Sequence, residues 1–179
     1  MQSCGSNSVN ESKTFCPLQA PYDYFDQIDK SDFHFTDLDY RLNDAKGKSE
    51  TEKVDIVTKE FAEAQNSCIK KLETQFPIGS VKIPFEQLGG KDSVIITSAY
   101  ISGFSFPWTT ATSICYYFTV EYEIRNKEAM YISISLKYLD LEGDIIYMNN
   151  LQATSIGKSR FIVKAQPYFK YFTKLLINQ

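Results

Sequence analysis

The chain has 179 residues, enough for one domain with a sizeable core, or for one domain plus an N-terminal extension. A net charge of −3 gives no global attraction to nucleic acid, and no run of about 18 apolar residues is present to cross a membrane as a helix. Aromatic residues reach 15%, with 12 Tyr and 13 Phe, a composition that favours strands.

Residues 1–21 read as an attachment segment and tether. Ser and Asn are frequent, and Pro17 and Pro21 punctuate its end. The opening Met1-Gln2-Ser3-Cys4-Gly5-Ser6-Asn7 has a small residue before Cys4, Gly-Ser after it and then a polar run to Lys13. This resembles the attachment site of bacterial lipoproteins, although Met1 and Gln2 depart from the usual residues. The resemblance implies that Cys4 becomes an acylated N-terminus, which anchors a protein to a membrane without a transmembrane helix. It also implies a bacterial cell-envelope location, periplasmic or surface facing. The alternative is an ordinary frayed terminus that carries a Cys by chance. No C-x-x-C pairs the four cysteines, Cys4, Cys16, Cys68 and Cys115, so neither a zinc nor a redox motif is expected. Cys68 and Cys115 are expected as buried thiols. A disulfide at Cys16 stays open.

Residues 22–44 hold seven Asp against Lys30 and Arg41, interleaved with aromatics. One short strand or irregular packing segment is expected here, around 33–40. The acidic segment is either a solvated face or a partner for the basic residues Lys158, Arg160, Lys164, Lys170 and Lys174. Residues 50–76 give the clearest helix. Ser49 and Glu52 form a capping box, and Val54, Val57, Phe61, Ala64, Cys68, Leu72 and Phe76 fall on one face. Pro77 and Gly79 stop it.

From residue 80 the period changes to two. The predicted strands are 80–85, 93–102, 115–125, 130–139, 144–148, 160–164 and 171–177. Tyr116, Phe118, Val120, Tyr122 and Ile124 share one strand face, and Ile132, Ile134, Leu136 and Tyr138 share another. These elements predict an α+β fold: an antiparallel, immunoglobulin-like β-sandwich of about seven strands over residues 80–179, with one long amphipathic helix packed on it. The folded domain is expected to span 22–179.

Two stretches carry a second resemblance: Tyr117-Phe118-Thr119-Val120-Glu121-Tyr122-Glu123-Ile124-Arg125-Asn126, and Leu136-Lys137-Tyr138-Leu139-Asp140-Leu141-Glu142-Gly143-Asp144-Ile145-Ile146-Tyr147. Together they resemble the strand, Asn turn, strand, Asp-x-x-Gly pattern of small FxLYD-like domains of bacterial surface proteins. The resemblance implies envelope location and binding or scaffolding, and it lends no catalytic residues.

Catalytic signals are poor. His34 is the only histidine and sits between Phe33 and Phe35, with no nucleophile motif nearby. Asp37 and Asp39 lack the Gly and later Glu of a calcium loop. Glu121 and Glu123 read as a solvated strand face, and Gly89-Gly90 as a turn. The segment 103–112 is a long aromatic loop, or a strand plus loop, in which Phe104, Phe106 and Trp108 are the candidate partner-binding residues; the alternative is that these aromatics fold back over an open end of the core. The expected function is therefore a non-catalytic, lipid-anchored envelope module that binds a protein partner or ligand, with no cofactor and no metal. The alternatives are a soluble interaction protein, such as a toxin-neutralising subunit, and a small hydrolase with a discontinuous site.

Overall fold

The computed structural model describes residues 18–28, 47–90, 93–108, 111, 113–125, 132–153, 156–165 and 172–178. Cys4, Cys16, His34, Asp37, Asp39 and the predicted segment at 33–40 lie outside the described residues. Two helices are described, α1 (Gln19–Gln27) and α2 (Glu50–Gln75). Seven strands follow: β1 (Phe85–Gln87), β2 (Val94–Ser105), β3 (Cys115–Ile124), β4 (Ile132–Leu139), β5 (Ile145–Ala153), β6 (Gly157–Ala165) and β7 (Lys174–Asn178). They form a four-stranded sheet in the order β1-β7-β4-β5 and a three-stranded sheet in the order β2-β3-β6. All pairings are antiparallel except β1 with β7. The fold is thus α+β, with the two sheets arranged as a β-sandwich.

Helix α2 starts where the capping box places it. Ser49 Oγ accepts from the Glu52 amide at 3.3 Å, and the Ser49 amide donates to Glu52 Oε2 at 2.8 Å. Its buried face is Val57, Phe61, Ala64, Gln65, Cys68 and Leu72. Val54, expected on that stripe, is 58% exposed, so the packed face begins one turn later. Helix α1 departs from the expected tether: Leu18 and Phe25 are core residues, so packed structure begins before residue 22.

The strands pack by alternation. The shared face of β3, from Tyr116 to Ile124, is buried throughout, as is that of β4 from Ile132 to Tyr138. Phe118 and Tyr138 meet across the sheets with ring centroids 5.8 Å apart, and Phe172 lies 6.0 Å from Phe118. The β4–β5 hairpin turns at Gly143, whose φ of +88° suits glycine, and Asp140 Oδ1 accepts the Asp144 amide at 2.8 Å.

The predicted first strand, 80–85, is divided between the two sheets. The Ile83 amide donates to the Ala99 carbonyl and the Ile101 amide to the Val81 carbonyl, at 2.8 and 2.9 Å, so this part runs along β2. After Pro84 the chain crosses over, and β1 pairs with β7. The segment therefore fastens one side of the sandwich. By the strand order, β5 and β6 form the opposite side.

Candidate functional site

The aromatic loop after β2 is shaped from below by α2. Gln65, buried on the packed face of α2, donates from Nε2 to the carbonyls of Trp108 at 3.1 Å and Ala111 at 3.0 Å. The Ala111 amide also donates to the Trp108 carbonyl, at 3.0 Å. Ala111 and Ile114 bury their side chains at the far end of the loop. The backbone at Trp108 is thus held by a helix side chain and by the loop's own turn.

The three predicted aromatics do not form one surface. Phe104 is 6% exposed and packs edge-on against Tyr116 at 5.5 Å. It is a core residue because β2 alternation turns it inward, and burial removes it from any contact with a partner. Phe106 is half-buried against Phe25 of α1, with centroids 5.9 Å apart. Trp108 alone reaches solvent, with 64% of its surface exposed.

Helix α1 covers the adjoining end of the sheet. Tyr22 Oη donates to the Ile114 carbonyl at 3.2 Å, and its ring lies 5.0 Å from Tyr116. Burial pushes the phenols of Tyr22 and Tyr116 well above their ordinary range, so both stay neutral at any physiological pH. Cys115, at the start of β3, and Cys68, on α2, are both buried thiols, as the sequence predicts. Burial raises the Cys115 thiol above its usual range, which keeps it protonated and poorly nucleophilic.

On the outer face of the three-stranded sheet, Glu121 is fixed more firmly than a solvated strand residue. Its carboxylate accepts from Ser98 Oγ at 2.6 Å and from Tyr100 Oη at 3.0 Å. Those hydrogen bonds, Ser98 first, hold the carboxyl below its ordinary range. Lys82 Nζ stands 4.8 Å from the Tyr100 ring centroid, and Arg160 faces Glu121 in the β3–β6 register. Glu123 pairs with Arg125 at 3.5 Å. This is a cross-strand network that joins β2, β3 and β6. It has no cleft in which two carboxylates of different acidity would meet.

A shallow cleft of about 480 Å³ opens between β1 and β2, lined by Phe85, Glu86, Gln87, Ile95 and Ile96. The Gln87 amide spans it, donating to the carbonyls of Gly89 and Val94 and accepting from the Ile96 amide. The cleft is the joint between the sheets. Among the described residues, no three metal-ligating side chains converge, and no helix is long and apolar enough to cross a membrane. Compared with protein-family models, with curated proteins and with solved structures, the chain has no significant match in any of the three.

Sequence reasoning missed Gln65 and the edge position of β5; the strand predicted at 144–148 is present and runs on to Ala153. Gln65 interrupts the apolar face of α2 beside Ala64, and a polar residue on a buried stripe is the signal that marks a hydrogen-bonding role. The run Ile145-Ile146-Tyr147-Met148 lacks alternation. All four side chains are exposed, and β5 is an edge strand.

Proposed function

We propose that the protein is a non-catalytic, lipid-anchored binding module of the bacterial cell envelope, tethered through Cys4 and presenting Trp108 to a protein partner. One observation carries the binding role: an exposed indole on a loop whose backbone is pinned by Gln65. On a fixed backbone a large aromatic gives up only its own side-chain rotations when it is covered, and Trp is enriched among the residues that dominate interfaces. The Ser3-Cys4-Gly5-Ser6 context supports the anchor.

The sandwich supports an immunoglobulin-like reading of the FxLYD-like kind. In such domains the strands order as A-B-E in one sheet, with C flanked by F and by C′ in the other. Strands β2-β3-β6 fit the first set, and β5-β4-β7 the second. Strand β1, beside β7, takes the position next to F that strand G holds in those domains.

A photo-cross-linking residue at position 108, introduced in the organism that makes the protein, tests the binding role. The expected result is one membrane-associated adduct of defined mass that is absent when the probe stands at exposed Ile78. Equal labelling from both positions overturns it. Mass spectrometry of the N-terminal peptide from the same membranes checks the anchor: an acylated Cys4 is expected, and an unmodified Cys4 on an unprocessed terminus rejects it.

A further inference from the structure

The four edges of the sandwich are treated unequally. Strand β1 has only three residues, and β2 is covered by the backbone of 79–83 and by the Gln87 amide. Strand β6 carries Lys158, Arg160 and Lys164, charges that discourage pairing. Strand β5 has none of these guards. Its nine residues, Ile145 to Ala153, include no charge and no proline, and among the described residues no strand lies on its outer side. Among the described residues, six of the ten large exposed apolar side chains lie on β5, on β6 or in the connection between them. An edge that is long, uncharged and apolar is a template for another strand.

We infer that β5 pairs antiparallel with β5 of a second copy of this chain about a twofold axis, joining two four-stranded sheets into one. The self-match rests on charge. Pairing over the whole strand sets Ile145 of one copy against Ala153 of the other, and Met148 against Asn150, with Asn149 on the axis. No like charges meet, because β5 carries none. The flanks are complementary. The turn before β5 holds Asp140, Glu142 and Asp144, and the strand after it opens with exposed Lys158. An antiparallel twofold turns the acidic start of β5 in one copy toward Lys158 of the other, twice over. A foreign strand would meet this edge without that reciprocal match.

Sedimentation velocity on the full chain carrying Cys4→Ser, under reducing conditions, tests the pairing without interference from lipid or intermolecular disulfides. The expected mass is twice 20.5 kDa, falling to the single-chain mass on dilution. Met148→Lys with Asn150→Lys, both at exposed positions, places lysines opposite lysines and abolishes the dimer while circular dichroism stays unchanged. Lys158→Glu weakens association by about tenfold or more, the effect of about 1.4 kcal/mol. Adding Glu142→Lys to that variant restores it by exchanging the charges. A single-chain mass at every concentration, a dimer indifferent to the lysine pair, or open-ended larger assemblies overturns the inference.

Discussion

Gln65 and Trp108 divide the loop's two needs, fixed shape and exposed surface, between two side chains. The Gln65 amide donates to two loop carbonyls from a buried position on α2. Gln65→Leu keeps the volume and removes the donors. The Trp108 carbonyl keeps the Ala111 amide, while the buried Ala111 carbonyl loses its Gln65 donor, at a cost of about 1–3 kcal/mol measured by chemical denaturation. Trp108→Ala is expected to change stability by no more than about 0.5 kcal/mol, because a largely exposed side chain gives up little on truncation. In the parent protein, Trp108 fluorescence should be red-shifted and readily quenched by acrylamide. A blue-shifted, quencher-resistant indole would contradict that exposure. The pairing of a polar residue on an apolar helix stripe with a loop 43 residues away was not legible in sequence, because spacing marks the oddity and not its partner.

At the scale of elements, local pattern carried most of the architecture. The capping box fixed the start of α2, and alternation fixed the faces of β3 and β4, because each depends on residues within a few positions of one another. Helix α1 escaped for a local reason as well. Pro21 reads as a tether residue, yet it stands in the first turn of α1, where proline costs no intrahelical hydrogen bond. The extent of the α2 stripe depended on distant packing, so Val54 and Phe61 looked alike in sequence and differ in the fold. Phe61→Ala should cost about 3–5 kcal/mol, since it empties a packed site between α2 and its neighbours. Val54→Ala should fall within about 0.5 kcal/mol as a surface change. Equal losses at the two positions, read from urea midpoints, would show that the helix does not pack on its Val57–Leu72 face.

For the whole molecule, what the sequence withheld is which strand stands at an edge. Strand count and faces follow from alternation, whereas edge position follows from non-local pairing, so an apolar run such as Ile145-Ile146-Tyr147-Met148 reads as interior until the sheet order is known. The same holds for the closed side, where Gln87 joins the sheets beside the crossing segment 79–84. Gln87 belongs to the four-stranded sheet, but its amide bonds to the backbone of Val94 and Ile96 on the edge of the three-stranded sheet. Two of its bonds are donated, to Gly89 and Val94. Gln87→Glu therefore separates hydrogen bonding from shape. An ionised carboxylate still accepts from the Ile96 amide but faces two carbonyl oxygens with no proton to offer. The folded state thus holds that carboxyl in its neutral form more tightly than the unfolded chain does. Its pKa is raised in the folded protein, and stability falls as pH rises from the unfolded carboxylate value through the folded one. At neutral pH the variant should lose about 1–3 kcal/mol, the cost of leaving part-buried acceptors unpaired. Below the ordinary carboxylate range, near pH 4.3, part of that loss should return, because a protonated carboxyl has one O–H to donate to one of the two carbonyls. Gln87→Ala should lose a similar amount with no such recovery on acidification. Thermal unfolding of the two variants against the parent across that pH range reads the difference directly, and parallel pH curves for Glu and Ala at position 87 would mean that Gln87 fills the joint without bonding across it.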